Sequence, residues 1–398
     1  MADQTTTIPK GWKMTTLGEV AELSKSQWKS GDADQKYIGL EHINQGDLTI
    51  NGFGSSSKLD SNKFYFKKDD VLFGKLRPYF RKVWRAKFDG VCSTEIWVIR
   101  AKENNDQGFI FYLAANPVFV DKSMGASKGT HMPRADWDYL KGTEWSIPSL
   151  PEQRAIAAVL SPLDDKIELL REQNKTLEAT AQAIFKEWFV NFNFPGATGK
   201  MIDSELGEIP MEWRVGKLGD EVKITMGQSP AGESYNENKE GMIFFQGRTD
   251  FGERFPKIRL YTNEPKRVAK KFDVLVSVRA PVGDINIASD DCCIGRGLAT
   301  VSSKYKSYAL YRIQSLKETF DKFETEGTVF GSINKDSFLN IEVLIPQIEN
   351  VEAFDATINT IDKKIFNNHI QIQTLSALRD ALLPKLMKGE VRVEGFND

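Results

Sequence analysis

The side chains best suited to chemistry in this sequence are cationic, and they come in two runs. Residues 63–88 carry Lys63, Lys67, Lys68, Lys75, Arg77, Arg81, Lys82, Arg85 and Lys87 against only Asp69 and Asp70, with Phe64, Tyr65, Phe66, Phe73, Tyr79, Phe80, Trp84 and Phe88 interleaved. Residues 254–281 carry Arg254, Lys257, Arg259, Lys266, Arg267, Lys270, Lys271 and Arg279 against Glu264 and Asp273. A single run of this kind is ordinarily a solvated face. Two at matched positions fit a polyanion, because phosphate binding needs local rather than overall positive charge. Loops rich in Gly, Ser, Gln and Arg lie around them: Gly125 to Thr130 (GASKGT), Met226 to Tyr235 (MGQSPAGESY), Gln246 to Thr249 (QGRT), Gly295 to Gly297 (GRG) and Gly327 to Lys335 (GTVFGSINK). Such loops offer backbone donors to phosphates and side chains to base edges. The candidate DNA contacts are therefore Lys75, Arg77, Arg81, Lys82, Lys128, His131 and Arg134 in the first half, and Gln228, Ser229, Arg248, Arg279, Arg296, Asn334 and Lys335 in the second.

Catalytic signatures fail by comparison. Asn116-Pro117-Val118-Phe119 approaches the Asn-Pro-Pro-Phe motif of amino-methyltransferases but lacks its second Pro, and no glycine-rich cofactor loop precedes it. Glu237-Asn238-Lys239 has the spacing of metal nucleases with no partnered Asp in view. Neither a phosphate-binding Gly-x-x-x-x-Gly-Lys-Ser/Thr loop nor a Gly-x-Ser-x-Gly elbow is present. Three Cys and three His are too few and too scattered for a zinc site, and Cys92 and Cys293 sit in apolar runs as core residues would. No catalytic or metal-binding residue is assigned.

Overall composition is quieter. The 398 residues are 40% hydrophobic and 27% charged, with 53 Lys and Arg against 55 Asp and Glu, a formal net charge of -2. The acid sits apart from the basic runs, at Asp203, Glu205, Glu208, Glu212, Asp220 and Glu221, and at Asp164, Asp165, Glu168, Glu172 and Glu178. No apolar run has membrane-spanning length and the N-terminus has no signal-peptide layout, so a soluble cytoplasmic protein with reduced thiols is expected.

The elements that must position these residues are written twice. Ile8-Pro9-Lys10-Gly11-Trp12 with Leu17-Gly18-Glu19-Val20 returns about 201 residues later as Ile209-Pro210-Met211-Glu212-Trp213 with Leu218-Gly219-Asp220-Glu221-Val222. Asp70-Val71-Leu72 answers Asp273-Val274-Leu275, Ile147-Pro148 answers Ile345-Pro346, and Leu163 to Ile167 answers Ile361 to Ile365. A period of this length means two similar domains, not a solenoid. Each copy opens with strand-like runs such as Val91 to Ile99 and Val274 to Val278, separated by turn residues, and closes with a helix. The expected division is 1–148, a first α/β domain; 149–193, a central helix; 194–204, a linker; 205–346, a second α/β domain; 347–390, a distal helix; and 391–398, a tail.

The helical segments carry heptads. Ile156, Leu160, Leu163, Ile167, Leu170, Asn174, Leu177, Ala181, Ile184 and Trp188 recur at alternating steps of four and three, as do Phe354, Ile358, Ile361, Ile365, Asn368, Ile372, Leu375, Arg379, Leu382 and Leu386. An antiparallel pair sets Asn174 against Asn368 as a register device, with Ile156 against Leu386 and Trp188 against Phe354 in the outer layers. The bland alternative packs each helix on its own domain. Ser161-Pro162 reads as an N-cap followed by Pro at the first helical position, so the first helix is expected to restart or kink there. Residues 163–190 would span about 40 Å, close to the roughly 34 to 36 Å of one DNA turn.

Taken together the chain resembles the specificity subunits of type I restriction-modification systems, over nearly its whole length. Ile-Pro-x-x-Trp with Leu-Gly-x-x-Val resembles the start of that family's target-recognition domains; Leu150 to Ile156 (LPEQRAI) leading to Leu163 to Ile167 (LDDKI) resembles its central spacer helix. Asp203 to Pro210 is similar to its inter-repeat junction and Leu382 to Val391 to the end of its distal spacer, whereas Ile345-Pro346-Gln347-Ile348-Glu349 departs from the expected Leu-Pro-x-x-Glu-Gln-Arg. The resemblance implies an α+β fold with two α/β target-recognition domains joined by an antiparallel coiled coil, and a non-catalytic DNA reader. It implies double-stranded DNA with a split target as ligand, two methyltransferase subunits docked on the helices, and restriction motor-nuclease subunits. S-adenosylmethionine for adenine methylation, and ATP and Mg, would belong to those partners and not to this chain. Because the two domains differ at Lys75-Leu76-Arg77 against Val278-Arg279-Ala280, unlike half-sites are expected. The competing reading is a coiled-coil scaffold that ignores DNA; a hidden enzyme would have to methylate or cleave alone.

Overall fold

The computed structural model describes residues 8–125, 132–325 and 331–396. They form two compact units, Met1–Glu172 with Asn368–Asp398 and Gln173–Asn367, so the units cut across the two long helices.

In the first unit, Lys13–Thr16 pairs antiparallel with Glu144–Ile147. A four-stranded sheet runs in the order Ala21–Leu23, Ile96–Ala101, Val71–Gly74, Val83–Arg85. A five-stranded sheet runs Gln27–Trp28, Lys63–Phe66, Gly90–Cys92, Lys36–Ile38, Gly54–Ser55, with Lys36–Ile38 and Gly90–Cys92 parallel. The second unit repeats the plan. Arg214–Lys217 pairs with Glu342–Ile345, and Lys223–Met226, Leu298–Ser302, Val274–Ser277 and Ile285–Ile287 form the four-stranded sheet. Its five-stranded sheet differs at both edges: the extra two-residue strand Tyr235–Asn236 joins Leu260–Thr262 at one edge, whereas the first unit adds its extra strand Gln27–Trp28 at the opposite edge, next to Lys63–Phe66.

The apolar run Val91 to Ile99, read as one strand, is two. Gly90–Cys92 belongs to one sheet and Ile96–Ala101 to the other, because Ser93 turns the chain: its Oγ accepts from Glu95 N–H at 3.2 Å and its carbonyl from Ile96 N–H at 2.9 Å. Asn116, the head of the methyltransferase-like tetrapeptide, is buried and caps the helix Pro117–Met124, its Oδ1 accepting from Val118 N–H at 2.9 Å. The tetrapeptide is thus an N-cap followed by Pro at the first helical position.

The long helices are Leu150–Phe189 and Ile348–Lys388. The first does not restart at Pro162, which lies inside it. The missing N–H disfavours this by about 3 kcal/mol, but Leu160 and Ile167, buried on either side, each return about 1.5 to 3 kcal/mol. Within each unit the helical segments run antiparallel. Ile156 shares a buried cluster with Leu386, and Asp164 Oδ1 accepts from Arg379 Nη1 at 2.8 Å. In the second unit the Trp188 and Phe354 rings lie 5.8 Å apart, while Arg254 joins Glu178 to Asp362 at 3.2 and 2.5 Å. The Trp188–Phe354 layer therefore holds, and Ile156 and Leu386 share one cluster; the layer of Asn174 and Asn368 divides between the units, Asn174 in the second and Asn368 in the first. The bland alternative is also partly true: Phe185 and Phe189, outside the heptad series, are more buried than Ile184 and Trp188 and pack on Tyr308 of the second domain.

The expected linker contains structure. Phe194 stacks on Trp213 at 5.4 Å, and Met201–Ser204 forms a hairpin with Gly207–Pro210.

Candidate nucleic-acid interface

In each unit the loops at the ends of the two sheets are laced together by main-chain bonds. In the second unit Gly295 N–H donates to Phe245 O at 2.8 Å, Gln228 N–H to Ile294 O at 2.9 Å, Val278 N–H to Gly297 O at 3.0 Å and Ile333 N–H to Val278 O at 3.1 Å. Ser229 Oγ accepts from Arg296 N–H at 3.2 Å, and Arg279 bridges to Ser332. Glycine is needed where the loops touch. A Cβ on Gly227 would stand 2.1 Å from Gly295 O, and one on Gly297 3.1 Å from Gly247 Cα. Gln228, Arg248, Arg279, Arg296, Asn334 and Lys335 are consequently gathered on one set of loops, with Ser229 among them. Arg279 and Arg296 are exposed and have no side-chain partner among the described residues. Asn334 is partly committed, since its Oδ1 caps the helix Lys335–Leu339 through Ser337 N–H at 2.8 Å.

This construction makes a prediction. Gly227→Ala forces the end of its strand off Gly295 and should destabilise the chain by about 1 to 3 kcal/mol, read by thermal denaturation. DNA discrimination should fall with it, measured by competition between target and non-target duplexes. An unchanged melting midpoint and unchanged discrimination would show that these loops need not touch.

The first unit gathers fewer of its candidates. Lys75 N–H donates to Glu95 O at 2.9 Å, Arg77 N–H to Pro133 O at 2.8 Å and Ala135 N–H to Lys75 O at 2.8 Å. Arg77 and Arg81 flank the short helix Pro78–Phe80 in left-handed conformations, φ 51° and 50°, each disfavoured by on the order of 1 kcal/mol. Both Nε atoms are buried without a hydrogen-bond partner, although Arg81 Nη2 reaches Ala115 O at 3.4 Å. Tyr79, between them, is exposed. Arg134 is exposed and ion-paired with Glu95 at 3.2 Å. Lys82 points elsewhere: its ammonium donates to Leu40 O at 2.5 Å, and burial pulls its pKa down. Lys128 and His131 lie outside the described residues.

The basic runs are less free than their counts. Arg85 pairs with Asp69 at 2.9 Å and Lys87 with Asp165 and Glu168 at 3.1 and 3.3 Å. Lys63 is buried and binds Ser61, Lys270 pairs with Asp291 at 2.7 Å, and Arg254 is buried against the helices. The cysteines are buried, and burial pushes the Cys92 and Cys292 thiols far up, leaving them poor nucleophiles. Missed from the sequence were the acidic partners in the loops, Glu41, Glu95 and Asp284, because a charge count treats acid among base as dilution. Among the described residues no helix is long and apolar enough to cross a membrane.

Residues 9–179 and 210–375 match the family model described as type I restriction modification DNA specificity domain. The chain is similar to the putative type I restriction enzyme MjaX specificity subunit of Methanocaldococcus jannaschii, 29% identical over 97% of this chain and 95% of that protein. It is also similar to the type I restriction enzyme HindI specificity subunit of Haemophilus influenzae, 23% identical over 96% of this chain and 99% of that one. The crystal structure of a type I restriction-modification system S subunit from M. genitalium covers 97% of this chain and 98% of its own, with a TM-score of 0.59 at 15% identity, a likeness of fold.

Proposed function

This chain belongs to the type I restriction modification DNA specificity family, and from that premise we propose that it reads an asymmetric, bipartite double-stranded target. The observation that carries this reading is the pair of loop clusters: the same scaffold occurs twice, each laced by equivalent main-chain bonds, with different side chains on it. Each unit reads one half-site, and the helices fix the gap between the halves and dock two methyltransferase subunits, with restriction motor-nuclease subunits joining them. The chain itself supplies recognition and no catalytic group. S-adenosylmethionine, ATP and Mg are held by the partners, and the complex works in the cytoplasm, where the DNA it reads is found.

Methylome sequencing of a host carrying this chain with its methyltransferase tests the reading. The expected motif has two unlike specified blocks separated by an unspecified gap. A continuous palindrome, or no new methylated motif, would contradict it.

A further inference from the structure

At one position of their shared fold the two units place a cation and a carboxylate on the same two elements with the signs exchanged: an ion pair in the second unit, two neighbouring charges in the first. Backbone bonds set the equivalence. In the second unit Gly295 N–H donates to Phe245 O at 2.8 Å and Ser277 N–H to Asp284 O at 2.9 Å; in the first, Ser93 N–H donates to Ile38 O at 3.0 Å and Gly74 N–H to Lys82 O at 2.9 Å. The parallel strand pairs agree, Phe245 standing opposite Ile294 and Ile38 opposite Cys92. Three residues past Phe245 and Ile38 come Arg248 and Glu41, and the neighbouring hairpin contributes Asp284 and Lys82 at its matching position. Arg248 with Asp284 in one unit thus corresponds to Glu41 with Lys82 in the other.

Each pair has one anchored and one presented member. Asp284 is fixed by its own N–H, which donates to Ser277 Oγ at 2.9 Å, and its Oδ2 accepts from Arg248 Nε at 2.5 Å. Arg248 is 56% exposed, and its two terminal nitrogens have no partner among the described residues. In the first unit Lys82 is tied to Leu40 O, the residue before Glu41, and feels the Glu41 charge. Glu41 is 66% exposed, and the nearby His42 Nδ1, at 3.8 Å, accepts from Gly39 N–H and so donates nothing to it.

We propose that these positions form one reading device with its polarity inverted: Arg248, oriented by Asp284, selects guanine in the half-site of the second unit, and Glu41, in the field of Lys82, selects cytosine in that of the first. A guanidinium held through Nε points its terminal fork forward, the geometry that meets guanine O6 and N7, whereas a carboxylate accepts from cytosine N4. A phosphate-binding role fits poorly, because each pair sums to no net charge and would release few counterions. The inference rests on the DNA-reading assignment above and adds which base edge each unit selects at this position.

Selection from randomised duplexes by the chain assembled with its methyltransferase subunits is the test. Arg248→Lys and Asp284→Asn should each lower guanine preference at one position of one half-site by roughly ten- to a hundredfold, leaving other positions and the salt dependence as they were. Glu41→Gln should relax one cytosine in the other half-site. Transplanting the first unit's pair, Arg248→Glu with Asp284→Lys, should convert that guanine preference to cytosine, a gain that misfolding cannot mimic. Uniform weakening on all sequences with a shallower salt dependence, or an unchanged preference in the transplant, would overturn the proposal. Failure of the unaltered complex to select any sequence would instead sink the DNA-reading assignment.

Discussion

Replacing Lys75, Arg77 and Arg81 together by glutamine lowers the affinity of the assembled complex for its target by about two orders of magnitude at physiological salt. The figure follows from counterion release: three lost phosphate contacts flatten the slope of log affinity against log salt by roughly 2.7, so the deficit shrinks toward zero near 1 M salt. These three are chosen over Lys82, Arg85 and Lys87 because of what those already hold. Lys82 is anchored to Leu40 O, Arg85 to Asp69 and Lys87 to two helix carboxylates. Arg77 and Arg81 instead sit in left-handed backbone with buried, unsatisfied Nε atoms. Neither is in an ion pair among the described residues, which leaves their charge for the proposed phosphate contacts. The measurement is a titration of fluorescent duplex at several salt concentrations. The control is a second triple replaced by glutamine, the exposed Lys58, Lys67 and Lys68, whose loss should change affinity far less. Assembly with the methyltransferase should be intact in both. A salt slope equal to that of the unaltered chain would place these arginines outside the interface.

The duplication and the antiparallel order of the helical segments were legible because both are periodic: a repeated order of motifs and a repeated spacing survive without any knowledge of distant contacts. The Trp188–Phe354 layer, and the common burial of Ile156 and Leu386, came from spacing alone. What spacing cannot carry is the partner of a charge. Arg254 counted as one of eight cations in a basic run, yet it is buried and bonded to Glu178 and Asp362, which lie far from it in sequence. Lys82 was lost from the phosphate-binding candidates for the same reason. Conversely, Asp284 matters through its ion pair with Arg248, and no local pattern marks it. Pro162 shows the limit of local rules from another side: a helix-breaking signal was overridden by apolar burial on both of its flanks. Near-neutral net charge therefore describes neither surface nor interior, since much of the charge is paired inside each unit.

That internal pairing leads to the largest stability effect. Each unit fastens a helix to its globular part by a Tyr–Asp–Arg cluster: Tyr112 donates to Asp164 Oδ2 at 2.7 Å and Arg379 to Oδ1 at 2.8 Å, and in the second unit Tyr311 and Arg254 donate to Asp362 Oδ1 at 3.0 and 2.5 Å. The Tyr and Asp stand at equivalent repeat positions, but the arginine comes from a helix in one unit and from a domain loop in the other. Arg379 is only 2% exposed, so Asp164→Ala leaves a buried cation beside the exposed Asp380 alone and should destabilise the first unit by about 3 to 5 kcal/mol. Arg379→Met combined with Asp164→Leu removes both charges and should recover most of that loss, because desolvating an ion pair offsets much of its attraction. Burial pushes the Asp164 carboxyl above its ordinary value, against the pull of Arg379 and Tyr112. A raised folded-state value means that this group's contribution is fully present below the unfolded value and is lost as pH rises through the folded one. Asp164→Asn does not titrate, keeps one acceptor oxygen for Arg379 and turns its amide NH2 to the Tyr112 hydroxyl oxygen, so it should remove that fall from the acid limb of the stability profile. Urea denaturation of the single and double variants from about pH 3 to 7, the range over which carboxylates titrate, reads all three effects. A double variant no more stable than Asp164→Ala would show that the ion pair itself, rather than relief of a stranded charge, holds the helix in place.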